Sequence, residues 1–236
     1  RLHLINTANW SNVHVYSGEG NWESMNTAGW PGNLVQEDKY GCYSYEVEKS
    51  SESKLMYIFN NGNGGSGNQT ADLAIEVDVM QADVDGIVDV WVDHEGNMQY
   101  TLPESVLVSP SMKDGKVTFR YYGPEATTAS VRGNMNGWGE TPMEKDEFGV
   151  WSCSMAVPEG DCQYKFYVDE QWITDPKNDA TYDGNSYTYV YYSPVVNGNA
   201  VTFKYYNTTA SSVEVRGSMD NWSSGYSMTK NDKGVW

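Results

Sequence analysis

The sequence contains part of itself. Residues 117–151 read VTFRYYGPEATTASVRGNMNGWGETPMEKDEFGVW, and residues 201–236 read VTFKYYNTTASSVEVRGSMDNWSSGYSMTKNDKGVW. The offset is 84 residues from Val117/Val201 through Trp138/Trp222 and 85 at Trp151/Trp236, one insertion in a loop. A period this long is a domain-sized unit, beyond the roughly 20–50-residue unit of a solenoid or propeller. The proline-bearing strips Leu102-Pro103-Glu104 and Ser193-Pro194 then read as linkers, giving segments 1–104, 105–193 and 194–236. The last segment carries the first half of the repeat. It is expected to be completed by further domains of the same polypeptide beyond residue 236, or by strand addition from another chain.

Wherever the chain shows a pattern, its period is two. Leu73, Ile75, Val77 and Val79 alternate with polar residues, as do Val88, Val90 and Val92, Val117-Thr118-Phe119 and Tyr164–Val168. No window carries a helical stripe. Turn dipeptides (Asn61-Gly62, Asp85-Gly86, Glu95-Gly96, Asp114-Gly115, Asp183-Gly184, Asn197-Gly198) recur at short intervals. The pattern predicts an all-β chain of tandem immunoglobulin-like antiparallel β-sandwich modules.

Charge narrows the partners. Fifteen Lys+Arg stand against 32 Asp+Glu, a net −17. Such a surface repels phosphate backbones and anionic leaflets, which argues against nucleic acid and membrane surfaces. The apolar runs are far shorter than the roughly 20 residues a membrane span needs. Arg1 opens what reads as a strand rather than a leader, so a mature protein or a fragment is expected. No cofactor is expected either. Three scattered His and the absence of a CxxC pair give no zinc spacing. The strip Asp83-Val84-Asp85-Gly86-Ile87-Val88-Asp89 lacks the closing glutamate of a calcium hand and reads as solvated acidic surface. Cys153 and Cys162 flank Pro158-Glu159-Gly160 and could lie on paired strands, but that turn does not bring them opposite one another. Free thiols are favoured over a disulfide.

The informative excess is aromatic: 9 Trp, 18 Tyr and 5 Phe, often among polar neighbours. Trp138 follows Asn136-Gly137 and precedes Gly139, a setting suited to an exposed platform; Phe119, Tyr121 and Trp151 read as core. In Tyr164–Trp172 a strand, a turn and a second strand end on another Trp, with Phe166 and Val168 inward and Lys165 outward. Two indole faces, Lys165 and Asn185 of the Asp183-Gly184-Asn185 loop suit a sugar, whose CH faces stack and whose hydroxyls hydrogen-bond. At the N-terminus the alternation Trp10, Asn12, His14, Tyr16 faces away from Val13 and Val15. Trp30 sits before Pro31-Gly32 in a loop, and the run Ile58–Gly62 through Asn68-Gln69-Thr70 supplies amides. These residues read together as a binding face.

Residues 117–192, with VRGNMNGW, GVW, YKFYVDEQWITDP and a closing Asp-Gly-Asn-Ser loop, resemble a family 48 carbohydrate-binding module. The same pattern occurs in the glycogen-binding domain of the AMP-activated kinase β subunit and in the X modules of amylopullulanases. The resemblance implies α-glucan binding at Trp138, Lys165, Trp172 and Asn185. Glu170 stands where the family usually has Gly, and in the third segment only Trp222 has a counterpart. Residues 2–80, with NWSNVHVY, GWPG and IFNNG…QT, resemble starch-binding modules of family 26. That resemblance implies stacking on Tyr16 and Trp30, a further contact at His14 and hydrogen bonds from the Gln69 loop. It also implies secretion and attachment at a bacterial cell surface, as in amylosome starch systems.

The expected function is therefore non-catalytic binding of starch or another α-glucan, with avidity from linked modules. An enzyme is disfavoured because no barrel of roughly 250 residues fits beside these modules. The alternative is a set of spacer or adhesion sandwiches in which only the N-terminal module binds sugar.

Overall fold

The computed structural model describes residues 1–48, 54–76, 82–83 and 85–236. The chain folds as two compact units, Arg1–Leu107 and Val108–Trp236. Val106 and Leu107 are buried in the first. Among the described residues every regular element is a strand or a one-turn 3-10 helix. All six turn dipeptides end on a glycine of positive φ, so the local punctuation of the sequence is used as written.

In the first unit the strands are β1 (Leu2–Ile5), β2 (Val13–Glu19), β3 (Asn33–Glu37), β4 (Tyr43–Tyr45), β5 (Lys54–Asn60), β6 (Leu73–Glu76), β7 (Val90–Asp93) and β8 (Met98–Gln99). They run in the spatial order β6-β5-β2-β3-β4-β1-β7-β8. β3 is the hinge between the halves, pairing Val35 with Val13 of β2 and Gln36 with Ser44 of β4. The two halves close over Leu2, Leu4, Val13, Val15, Tyr57, Phe59, Val90 and Val92. One ladder departs from the antiparallel expectation, since β1 and β7 run parallel with Leu4 beside Val92. Val77, Val79 and Val84 lie outside the described residues. Val88 packs against the core ahead of β7.

Two sequence expectations need correction. Trp10 does not share the outer face of His14 and Tyr16; it is a buried core residue whose indole Nε1 donates to Gly67 O at 3.1 Å. The period-two phase starts only at Val13, and Asn9, with φ 54°, breaks the chain just before Trp10. Nor do Cys153 and Cys162 lie on paired strands. Cys153 pairs with Phe119 in one sheet of the second unit and Cys162 with Thr188 in the other. The Pro158-Glu159-Gly160 segment crosses between sheets instead of closing a hairpin. Both thiols are free, and burial pushes each up to about 11.

The second unit opens as a sandwich. One sheet has the order β13 (Glu144–Lys145), β14 (Val150–Met155), β10 (Lys116–Tyr122), β9 (Ser111–Lys113). The other runs β12 (Thr141–Pro142), β11 (Ala129–Gly133), β15 (Gly160–Val168), β18 (Asn185–Val190), β17 (Thr181–Tyr182), with β16 (Gln171–Ile173) also on β15. Val117, Phe119 and Trp151 from the first meet Val131, Tyr164 and Phe166 from the second in one core. The Phe119 and Tyr164 rings are 4.7 Å apart.

Residues 194–236 lie in the same unit, with short pairs β19 (Val195–Asn197)/β20 (Ala200–Thr202) and β21 (Glu214–Val215)/β22 (Tyr226–Ser227). They rebuild the repeat's local devices. Lys145 Nζ donates to Pro124 O and Ala126 O at 2.9 and 2.8 Å; Lys230 Nζ does so to Thr208 O and Ala210 O at 2.6 and 3.2 Å. Trp151 and Trp236 each donate from Nε1 to a carbonyl, Gly123 O and Asn207 O, at 3.0 Å. The burial differs. Val201 and Phe203 are 49% and 40% exposed, where Val117 and Phe119 are fully buried.

Candidate functional site

In the first unit β2 sends Val13 and Val15 into the core and turns His14 and Tyr16 outward. The Trp30 ring meets Tyr16 edge-on, centroids 5.4 Å apart at 72°. Two residues hold the Trp30 loop there. Gly32, at φ 93°, passes so close to β2 that a Cβ would lie 2.0 Å from Val15 O, so only glycine fits. Asn60, fully buried at the end of β5, donates from Nδ2 to Pro31 O and accepts from Gly62 N, both at 2.9 Å. One amide thus ties the Trp30 loop to the glycine-rich loop after β5.

That second loop carries Gln69. Its Oε1 accepts from Gly65 N at 3.1 Å, and Gly64 lies between the two site residues, its Cβ direction meeting Gln69 Oε1 at 3.5 Å and Trp30 Cζ2 at 3.7 Å. The His14 ring lies against Gly62, and its Nδ1 is buried without a hydrogen-bond partner among the described residues. His14, Tyr16, Trp30 and Gln69 therefore gather on one face. A fifth residue joins them that sequence reasoning did not single out: Trp22 stacks on Tyr16, centroids 5.6 Å apart and planes 12° from parallel.

In the second unit the site lies on the outer face of the larger sheet. Register pairs Arg132 of β11 with Lys165 of β15. Tyr164 is opposite Ser186, so Asn185 follows beside Lys165, and Tyr182 of β17 pairs with Asn185. Directly paired residues share a face, which sets Arg132, Lys165, Asn185 and Tyr182 in a row across four strands. Asn185 Nδ2 donates to Gln163 Oε1 at 3.2 Å.

Two tryptophans border this row. Trp138 is held at φ 61° by a bond from its N–H to Gly133 O at 2.7 Å, closing the one-turn helix Asn134–Asn136. Trp172 rides on β16, where it pairs with Tyr167. The two rings are 6.3 Å apart at 60°, with 38% and 50% of each residue exposed. The hairpin tip Asp169-Glu170 has φ 43° and 66°, a type I′ turn in which Glu170 takes the left-handed conformation that glycine occupies without strain. Asp169 locks that tip, its Oδ1 accepting from Thr127 N, Thr127 Oγ1 and Thr128 N at 2.7–3.0 Å. Sequence reasoning also missed Arg132. Its guanidinium carbon lies 4.1 Å from the Tyr167 centroid and 5.5 Å from that of Trp172, and it pairs with Glu140 at 3.1 Å.

Three indole N–H groups are tied to the backbone. Trp10, Trp151 and Trp236 each donate to a backbone carbonyl. Among the described residues Trp22, Trp30, Trp138, Trp172 and Trp222 show no such bond, and each lies in a loop, a turn or an edge hairpin. Trp222 repeats the Trp138 geometry, with φ 59° and its backbone N–H on Gly217 O at 3.0 Å, and is 68% exposed.

Two module families match the chain in tandem. Residues 2–75 match the model of starch-binding module 26, and residues 115–195 match that of the glycogen recognition site of AMP-activated protein kinase. Both agree with the resemblances drawn from the motifs. Similar curated proteins include a 1,4-alpha-glucan-branching enzyme from Pisum sativum, 27% identical over 120 residues, 43% of this chain and 14% of that enzyme. One from Solanum tuberosum is 32% identical over 102 residues, 35% and 12% of the two. The chain thus spans a small fraction of the relatives it matches. Among solved structures, a family 26 module of Eubacterium rectale Amy13K in complex with maltoheptaose is 17% identical with a TM-score of 0.34, covering 70% of this chain and 79% of that one.

Proposed function

We infer that the chain is a non-catalytic α-glucan-binding protein carrying two separate aromatic sites. One is built on Tyr16 and Trp30, the other on Trp138 and Trp172. The observation that carries this reading is the convergence, in each matched segment, of aromatic rings at the surface, Tyr16 with Trp30 in one and Trp138 with Trp172 in the other. Sugar rings offer apolar faces to such platforms, and their hydroxyls fit the donors and acceptors nearby: the Gln69 loop in one unit, Lys165 and Asn185 in the other. Each site is a shallow surface, and linkage of the two raises avidity for a polymer through effective concentration. Secretion to a bacterial surface, and membership of a larger amylolytic or starch-adherence polypeptide, belong to the same proposal.

The test is a maltoheptaose titration followed by tryptophan fluorescence, with reducing ends assayed in parallel. Saturable quenching without new reducing ends is expected. New reducing ends would overturn the non-catalytic reading, and no quenching at millimolar sugar would overturn glucan binding.

A further inference from the structure

Trp22 has no structural task that accounts for it. It lies outside the buried cluster of the first unit, does not pack against that cluster and is only half-buried. Its indole N–H has no partner among the described residues. What burial it has is gained outside that cluster, in part on the Tyr16 ring. Yet the backbone presenting it is firmly tied. The turn leaves β2 after Glu19 and returns at Met25, which bridges to Gly18. Glu19 N donates to Ser24 O at 2.8 Å and Gly20 N to Lys54 O at 2.8 Å. Asn21 Oδ1 accepts from Glu23 N and Ser24 N at 2.7 and 3.1 Å. At Gly18 a Cβ would lie 2.7 Å from Asn21 O, so glycine lets the turn fold back this tightly.

The turn delivers the indole to one ring. Trp22 and Tyr16 are nearly parallel, 12° apart, with centroids 5.6 Å from each other. Stacked carbon planes sit about 3.5–4 Å apart, so the two rings are slid by about 4 Å. Each covers only part of the other, and Trp22 overhangs Tyr16. Trp30 meets the same Tyr16 at 5.4 Å and 72°. Tyr16 thus touches both indoles.

We propose that Trp22 forms an additional glucan subsite, extending the first unit's surface past the Tyr16–Trp30 pair and selecting longer α-glucans over short ones. The proposal rests on the glucan reading above. A preformed ring held on a hydrogen-bonded turn adds contact without ordering a loop, and its indole N–H is a donor suited to a sugar hydroxyl.

The experiment uses the full chain with Trp138→Ala and Trp172→Ala, leaving the first unit as the measured site, and calorimetry with maltose and maltoheptaose. Trp22→Ala in that background is expected to weaken maltoheptaose binding about tenfold and maltose binding less than twofold. Trp22→Phe should keep most of the affinity for the longer sugar. Equal losses for both sugars would overturn the subsite, because Trp22 would then act only by placing Tyr16. An unchanged maltoheptaose affinity would overturn it too. Circular dichroism melting of both variants reports folding, and the phenylalanine variant carries the test if the alanine one melts early. If the background chain binds neither sugar, the glucan reading of the first unit itself has failed.

Discussion

Trp138 and Trp172 reach their 6.3 Å approach from opposite sides of one strand: Trp138 from the loop after β11, Trp172 from the hairpin after β15. Neither ring belongs to the core that the two sheets enclose. Removing either should therefore spare folding and damage the platform. Trp138→Ala and Trp172→Ala are each expected to cost about 2 kcal/mol of maltoheptaose affinity at this site, with a melting temperature within a degree or two of wild type. Arg132→Ala should produce a smaller loss, since it removes the guanidinium stacked on Tyr167 and Trp172 but leaves the sugar-facing rings. Calorimetry on a Trp30→Ala background reads the second site separately.

Glu170 occupies the second place of the type I′ hairpin at φ 66°. A side chain there carries left-handed strain of about 1 kcal/mol that glycine avoids. Glu170→Gly should raise the melting temperature of the second unit by a few degrees and leave glucan affinity unchanged, because Asp169 still pins the tip to Thr127 and Thr128. Differential scanning calorimetry checks the first half. A drop in stability would show that Glu170 makes a compensating contact.

What the sequence made legible follows its local rules. Alternation set the outward faces of His14, Tyr16 and Lys165, and Gly after Asn, Asp or Glu set the turns. Trp10 was misread because the period-two pattern continues on paper through Ser11-Asn12, where the backbone bends ahead of the strand and the phase is lost. Trp22 was missed because the tied turn after β2 has no periodicity to read. Arg132 was invisible for another reason. Its place beside Trp172 depends on the pairing of β11 with β15, and such register between distant strands is written in no local pattern. The parallel β1/β7 ladder, joining residues 88 positions apart, is hidden in the same way.

Acid should destabilise the first unit through a buried cluster around His3. Burial would raise the Asp89 carboxyl, but hydrogen bonds with His3 and Arg1 and the charge of Arg1 outweigh it and hold Asp89 at about 2. Asp38 is likewise lowered: burial opposes the shift, and bonds with His3, Ser44 and the Tyr40 and Cys42 N–H groups drive it. The unfolded carboxyls titrate near 3.9. A depressed folded pKa gives stability that is full above that value and is lost as pH falls toward 2. For Asp89 the amount is about 2 kcal/mol. Urea midpoints at pH 6 and pH 3 should fall more steeply for wild type than for Asp89→Asn, which begins lower at pH 6. Parallel slopes would mean Asp89 titrates normally.

Asn60 touches no sugar in the proposed site, yet it should control binding. Its side chain gives one bond to Pro31 O and takes one from Gly62 N, from a fully buried position. Asn60→Ala leaves the partly buried Pro31 carbonyl and Gly62 N–H without that partner, a loss of about 1–2 kcal/mol in stability. It also releases the Trp30 loop from the loop that carries Gln69. Asn60→Asp separates the two effects. A carboxylate still accepts from Gly62 N, but it cannot donate to Pro31 O and repels it, so the glycine-rich loop should stay while the Trp30 loop lifts. The aspartate variant is therefore expected to lose most of the first unit's glucan affinity while retaining its hydrogen-exchange protection at Gly62. Retained affinity would show that Gly32 alone, lodged against Val15 O, suffices to place Trp30.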